Sequence, residues 1–174
     1  PVKKVPPLEL ILTTLHAGGK FDNSNYITSG GLHGVGSSVV NALSEELVAT
    51  VKRDGKAYEQ RFARGVRTTK LKVVNPNTRG SGTTIYFRPD PEIFESVEFD
   101  AEAIKETLEV KTYLNKNLKI IFKDEPAGKR YEFHHEGGIV EYLDYLTKEL
   151  KARPVHEDAF VLTQDELQNG SRVE

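Results

Sequence analysis

Glycines concentrate in one short segment of this sequence, where their spacing suits contact with an anion. Residues 30–36 read Gly-Gly-Leu-His-Gly-Val-Gly, and a helical pattern begins directly after them at Ser37 or Ser38. Glycine lets the backbone adopt left-handed conformations and approach a ligand closely. Successive backbone N–H groups beside a helix N-terminus bind phosphate groups. The segment predicts a site for a di- or triphosphate, with a loop whose glycines only make turns as the alternative.

The spacing within this segment argues against two better-known phosphate-binding loops, and its flanking residues argue against a third kind of loop. It lacks the Lys-Ser/Thr pair of a Walker A loop, and it reads G-x-x-G-x-G rather than the G-x-G-x-x-G of a dinucleotide fold. Residues 31–34 match the GxxG of a KH nucleic-acid loop. The KH loop has basic neighbours, whereas the flanks here are apolar or neutral, so nucleic-acid binding by this loop is the weakest of the interpretations.

Composition limits the classes of protein that remain. The 174 residues are 37% hydrophobic and 29% charged, which is typical of one soluble globular domain. A net charge of −2 argues against a free-standing DNA-binding protein, because such proteins carry a basic surplus. The absence of Cys excludes disulfides and thiolate metal sites. No apolar run approaches the ~20 residues that span a bilayer. Because the chain opens at Pro1 without Met, we expect it to be an excerpt of a longer protein.

Helical and strand-like patterns predict the elements that position the glycine segment. Asp54-Gly55 between two strand-like runs, 48–53 and 56–62, predicts a tight hairpin. Asp100 is placed to cap a helix. Helices are predicted at 7–17, at 37–47 with Val39, Val40, Leu43 and Leu47 facing inward, at 100–114, and at 138–151 with an apolar stripe of Ile139, Leu143, Leu146 and Leu150. Further strands are predicted at 69–74, 83–88, 118–123 and 130–134. This order favours an α+β fold in which helices cover one face of a mostly antiparallel sheet.

Several longer motifs follow one another along the chain. They are Leu15 to Phe21, Ser29 to Gly36, Ser38 to Ser44, Gly82 to Asp90, Tyr113 to Ile120 and His135 to Ile139. In this order they resemble the ATP-binding domain of the bacterial type II DNA topoisomerases, found in the B subunits of gyrase and topoisomerase IV and belonging to the GHKL ATPase superfamily. The resemblance implies that superfamily's two-layer Bergerat sandwich, incomplete at its N-terminus, for residues 1–153. Residues 154–174 would be a linker or the start of a transducer domain.

The resemblance assigns ATP-binding roles to individual residues. Backbone amides of the glycine segment would hold the phosphates, and the residues concerned are Gly31, Leu32, His33, Gly34, Val35 and Gly36. Lys20 would approach the γ-phosphate, Thr83 would sit near the adenine through its hydroxyl and a water, and Tyr26 would contact the adenine side. Without the resemblance, a solvated loop lysine is the favoured interpretation of Lys20, and simple strand propensity explains Thr83 equally well.

The sequence departs from the family at the catalytic step. The family's general-base Glu, its Mg²⁺-binding Asn and its adenine-reading Asp have no counterpart here, so we assign no catalytic residue and no metal ligand. Glu9 lies at no motif position and is not assigned as the base. The pair His134-His135 has no suitably spaced partner and is interpreted as a strand end rather than a metal site.

The resemblance also implies an activity and its partners. ATP binding and hydrolysis with Mg²⁺ would drive DNA strand passage, which is supercoiling or decatenation, in a cytoplasmic enzyme. Its partners would be the DNA-cleavage subunit, DNA in the full assembly, a second copy in an ATP-dependent homodimer, and aminocoumarin-type inhibitors, with no membrane involved. The alternative is a fragment that holds a nucleotide or inhibitor and hydrolyses nothing. Gyrase and topoisomerase IV share all of these motifs, so the motifs do not distinguish between the two enzymes.

Overall fold

A computed structural model describes residues 5–16, 34–156 and 159–161 of the chain. These fall into two compact units, residues 1–97 and 98–174. The predicted site residues Lys20, Tyr26, Gly31, Leu32 and His33 lie outside the described residues. The predicted domain boundary between residues 153 and 154 stays a prediction.

The first unit is built on an antiparallel sheet. The strand order is β3-β2-β1-β5, and β4 also pairs with β2. The strands are β1 Ser44–Arg53, β2 Lys56–Ala63, β3 Val66–Arg67, β4 Lys72–Asn75 and β5 Gly82–Pro89. Residues Asp54 and Gly55 join β1 to β2 with φ angles of 51° and 74°. These left-handed angles are those of a type I′ turn, so the predicted hairpin is confirmed.

Two short helices, α1 Pro7–Thr13 and α2 Gly36–Ala42, belong to this unit. Pro7 suits the first helical position because proline lacks the N–H that is unpaired there anyway. The apolar core of the unit lies between α1 and the sheet. It consists of Leu12, Leu47, Ala49 and Phe62, with Leu8 packed against it.

Both helices are shorter than the sequence pattern predicts. The first ends at Thr13 instead of residue 17, since Thr14 is already extended. The second ends at Ala42 instead of residue 47, so the prediction that Leu43 and Leu47 continue its inward face is wrong. Leu47 lies on β1, where it pairs with Phe62 and Phe87 and is buried by neighbouring strands rather than by a helix. A spacing of four residues fits a helix, but strand pairing on both sides of β1 overrides it.

The inward face of α2 is also different from the predicted one. Val39 and Val40 are 40% and 39% exposed, whereas Ser38 and Asn41 are buried. Valine is among the most frequently buried residues, so a buried amide in its place requires a hydrogen-bonding partner.

The second unit contains two longer helices and a separate two-stranded antiparallel sheet. Its elements are α3 Ala101–Tyr113, β6 Ile120–Asp124, β7 Lys129–Phe133 and α4 Ile139–Glu149. Asp100 caps α3 as predicted, because its carboxylate accepts from the backbone N–H groups of Glu102 and Ala103. The α+β class with antiparallel pairing is confirmed, although β6 and β7 pair only with each other among the described strands.

The apolar stripe predicted on α4 is present but poorly covered. Ile139, Leu143 and Leu150 are all exposed, and Leu150 keeps 75% of its surface accessible. Within the described part of the chain, no helix is both long enough and apolar enough to cross a membrane.

Candidate functional site

The described end of the glycine segment has a backbone geometry that requires glycine. Gly34 has a φ of +61°, which is the left-handed region. Two residues later, Gly36 is the first residue of α2. A Cβ added at Gly36 would meet nothing within 4 Å, so space is open beside this turn. The positive φ is one of the two reasons for which a glycine is expected at position 34, the other being close approach of a ligand.

An apolar cavity of about 570 Å³ lies in the first unit between the two short helices and the sheet, and it is open to solvent, since Ile11, Ile85 and Phe87 on its walls are exposed. Its walls come from α1, α2, β1 and β5. The lining residues are Leu8, Ile11, Leu12, Ser37, Val40, Leu47, Val51, Thr83, Ile85 and Phe87. The side chains of Ser37 and Thr83 supply hydroxyl groups, and the other eight are aliphatic or aromatic. A cavity of this size with mostly apolar walls and a few polar groups is typical of a small-molecule site.

Thr83 reaches this cavity because of its place on β5. It lies opposite Val51 of β1, and it alternates along the strand with Ile85 and Phe87, which line the same cavity. Ser37 comes directly after Gly36 on α2. The structure therefore brings the predicted residue Thr83 and the residue that follows the glycine turn to the walls of one cavity.

Two side chains of α2 hold the end of α1. The Nδ2 of Asn41 donates to the carbonyl oxygen of Leu12 at 2.8 Å, and the Oγ of Ser37 donates to the carbonyl of Ile11 at 3.3 Å. Neither residue was predicted as part of the site. The available signal was an Asn placed among the aliphatic residues of 39–43, where it interrupts the apolar pattern.

Glu9 fixes α1 to the sheet. This residue is buried, and its Oε2 accepts from the Nε2 of Gln60 at 3.0 Å and from the Nη1 of Arg67 at 2.9 Å. Gln60 also donates to the carbonyl of Thr69 at 3.3 Å. These contacts hold the carboxylate of Glu9 against the sheet.

Asp90 ties the end of β5 to the start of β1. The residue is buried and its N–H donates to the carbonyl of Leu43 at 3.0 Å. Its Oδ1 accepts from the N–H of Glu92 at 3.0 Å, and its Oδ2 lies 2.5 Å from the Nε of Arg64. The hydrogen bond from Glu92, followed by the Arg64 guanidinium, holds the pKa of Asp90 below its ordinary value.

The paired histidines have a structural environment in the second unit. The ring of His135 stacks on Tyr113 at a centroid distance of 3.6 Å, and its Nδ1 lies 2.6 Å from Oε1 of Glu141. That contact is the first cause of a lowered pKa at Glu141. In the part of the chain that the structure describes, no group of three or more His, Cys, Asp or Glu residues could hold a metal ion.

Comparison with known proteins finds relatives of two kinds, the B subunits of DNA gyrase and of DNA topoisomerase 4. No family model matches the chain. The chain is 49% identical over 148 residues to the gyrase B protein of Campylobacter jejuni, covering 85% of the chain and 19% of that protein. It is 46% identical over 155 residues to the B subunit of Pseudomonas aeruginosa DNA topoisomerase 4, covering 88% of the chain and 25% of that protein. The chain thus spans a quarter or less of these relatives.

Solved structures agree with the sequence comparison. The 43K ATPase domain of Thermus thermophilus gyrase B, in complex with an aminocoumarin, superposes with a TM-score of 0.72 at 34% identity over 94% of this chain and 42% of that one. The ATP-binding domain of Francisella tularensis topoisomerase IV, in complex with a small-molecule inhibitor, gives 0.65 at 38% identity over 89% of this chain and 40% of that one. The resemblance inferred from the motifs, and the fold that it implies, are confirmed.

Proposed function

We propose that this chain, a relative of the B subunits of DNA gyrase and topoisomerase IV, binds ATP in the domain whose hydrolysis of ATP drives DNA strand passage. The identity to both kinds of protein over most of the chain supports the proposal. The single observation that carries it is the left-handed Gly34 at the start of α2, in the same unit as an apolar cavity that Thr83 lines.

The proposed roles divide between the backbone and the cavity. Amides of Gly34, Val35 and Gly36, continued by Gly31, Leu32 and His33, hold the phosphates. Lys20 neutralises charge at the γ-phosphate, and Tyr26 contacts the adenine side. Thr83 orients the base through its hydroxyl. Oriented donors of this kind stabilise the charge that develops when water attacks a phosphoryl group.

The residues of the cavity fit an adenine base better than a charged group. Eight of its ten lining residues are apolar, and burial of an unpaired charge against them would be costly. A flat aromatic base gains from apolar walls and needs a few hydrogen-bonding groups at its edge, which the hydroxyls of Thr83 and Ser37 supply. In this proposal ATP is the substrate, and its phosphoanhydride bond is the bond that is cleaved.

Magnesium and the general base are proposed to come from elsewhere in the complete protein. The described residues hold no cluster of candidate metal ligands. None of the motifs in this chain matches the family's base. Glu9, the buried carboxylate of α1, is occupied by Gln60 and Arg67.

The proposed assembly is the one that the family resemblance implies. We propose a cytoplasmic complex with a DNA-cleavage subunit, in which two copies associate on binding ATP and DNA is handled by the whole assembly. The Thermus relative is in complex with an aminocoumarin, so we also propose that this class of inhibitor binds here. Whether the activity is supercoiling or decatenation is decided by assay of the complete enzyme.

A phosphate-release assay tests the proposed hydrolysis. The complete protein that carries this chain should hydrolyse ATP, and the 174-residue chain alone should show none, because a general base contributes roughly 10²–10⁴-fold. Clear turnover by the chain alone that Lys20→Ala abolishes would show that the base has been misplaced. Nucleotide binding without hydrolysis in the complete protein would support the alternative of a non-hydrolysing binding domain.

A matched pair of strand variants tests the adenine side. Thr83→Val removes the hydroxyl and keeps the shape, so the KM for ATP should rise by up to about tenfold, the value of one lost hydrogen bond. Thr84→Val is the control, because successive residues of a strand point to opposite faces. Equal KM values in the two variants would remove Thr83 from the site.

A further inference from the structure

The contact between α1 and α2 is made by a buried amide. Asn41 has no exposed surface, and its Nδ2 donates to the carbonyl of Leu12 at 2.8 Å. The Oδ1 of the same side chain is buried without a hydrogen-bonding partner among the described residues. An unsatisfied buried oxygen costs free energy. The side chain of Asn41 therefore makes one hydrogen bond, and that bond joins α2 to the end of α1.

We propose that Asn41 is a positioning residue for nucleotide binding, which sets the placement of the glycine turn relative to the cavity without touching the ligand. This inference rests on the proposed function. Asn41 lies five residues after Gly36, on the same seven-residue helix. Any shift of α2 against α1 therefore moves the amides of Gly34 to Gly36 and the hydroxyl of Ser37 together.

The helices cannot hold this arrangement by themselves. Each has seven residues, and isolated helices shorter than about 12–15 residues are marginal in water. The last carbonyl groups of a helix have no partner within it. In α1, two of these carbonyls, of Ile11 and Leu12, accept from Ser37 and Asn41 of α2. The two helices thereby become one body.

That body is in turn fixed to the sheet. Glu9 of α1 accepts from Gln60 of β2 and Arg67 of β3. A continuous series of polar contacts thus runs from the sheet through α1 to Asn41. Thr83 stands on β5 of the same sheet, so the series links the cavity wall to the helix that carries the glycine turn.

Ser44 provides a matched control for a purely structural role. It is buried like Asn41, and its Oγ donates to the carbonyl of Val40 at the end of α2. This hydrogen bond is local and does not reach α1. Ser44→Ala therefore removes a buried polar bond from the same end of α2 and leaves the link between the helices intact.

Two measurements together test the proposal. The chain has no Cys, so spin labels can be attached at Leu10→Cys on α1 and Val39→Cys on α2, both exposed sites. Asn41→Ala should broaden the distribution of distances between the labels, and Ser44→Ala should not. In the complete protein, Asn41→Ala should raise the Kd of Mg-ATP by about fivefold, the factor that corresponds to a hydrogen bond of average strength.

Asn41→Leu guards against an unfolded alanine variant, because it keeps roughly the volume of the side chain and removes the donor without burying a charge. It should reproduce both effects, with circular dichroism confirming the fold. A broadened distribution with an unchanged Kd would overturn the positioning role and leave the proposed function intact. Unchanged distances in both variants would also overturn it. If the unsubstituted protein binds no ATP, the proposed function fails, and the distance measurement still reports whether Asn41 joins the helices.

Discussion

The two pairs of helices in this protein are held in place by different means. In the first unit, α1 and α2 have seven residues each and no side-chain hydrogen bond at their N-caps. Buried polar side chains, Glu9 and Asn41, fix them to the sheet and to each other. In the second unit the helices are longer: α3 has 13 residues and its own cap at Asp100, and α4 has 11 residues without a side-chain cap. Directional bonds fix position more narrowly than apolar contact does, which suits the pair that adjoins the candidate site.

The second unit relies instead on stacked rings. Tyr113 of α3 stacks on His135 at 3.6 Å and on Tyr142 of α4 at 5.0 Å. Burial raises the pKa of Tyr113. Stacked rings bury a large apolar area and add about 0.5–1.5 kcal/mol per pair beyond that area. The contrast between the two units predicts where a substitution will alter stability alone and where it will also alter binding.

The largest expected loss of stability comes from the core of the first unit. Leu47 is almost fully buried and contributes to the core and to the cavity wall. Leu47→Ala should lower the free energy of unfolding by about 2–5 kcal/mol, the usual cost of such a truncation. Urea denaturation measures this change. Leu150→Ala is the control, since Leu150 is exposed. Equal losses in the two variants would refute the assigned core.

Acid should act on the first unit through Asp90. The folded pKa of this carboxylate lies below its ordinary value. The ionised carboxylate therefore stabilises the folded state at pH values above the ordinary pKa of an Asp side chain. That stabilisation is lost as the pH falls through the lowered folded pKa. Asp90→Asn should lower the Tm at neutral pH and flatten the dependence of Tm on acid pH. Glu141 of the second unit also has a lowered pKa, because of His135, so some acid dependence should survive in this variant.

A smaller effect is expected at the cap of α3. Asp100→Ala should cost about 1 kcal/mol, because two backbone N–H groups lose their acceptor. Amide exchange should show faster opening of the first turn of α3 and no change in α2. Asp144→Ala, at an exposed position of α4, should have almost no effect. Loss of protection in α2 instead would contradict the division between locally and distantly stabilised helices.

The sequence predicts the locally stabilised elements well. The cap at Asp100 and the turn at Asp54-Gly55 are short-range signals, and the helices predicted at 100–114 and 138–151 lie within two residues of α3 and α4. The end of α2 could not be predicted in this way. Leu43 and Leu47 fit a helix by spacing, and only pairing of β1 with β2 and β5 places Leu47 in a strand.

The candidate site shows the same limit. The motif predicts that position 34 requires a glycine, and the positive φ of Gly34 agrees with that prediction. Thr83 was assigned through the family resemblance, and it lines the cavity. Ser37 and Asn41 were missed because a polar residue within a helical pattern is usually solvent-facing. Only the tertiary structure shows that Asn41 is buried and that Ser37, although exposed, donates to the end of α1. The roles of Lys20, Tyr26, Gly31, Leu32 and His33 remain predictions.

Gly34→Val in the complete protein tests the account most directly. Forcing a positive φ on a valine costs on the order of 1–3 kcal/mol, and a lost hydrogen bond to phosphate costs about 1.5–3 kcal/mol. Gly55→Val in the hairpin, where φ is +74°, carries the same backbone penalty away from the site. Calorimetric titration with Mg-ATP beside a melting curve should show similar small losses of Tm in both variants, and an affinity at least about tenfold weaker in Gly34→Val alone. Binding of ATP by Gly34→Val as tightly as by the parent would contradict the account.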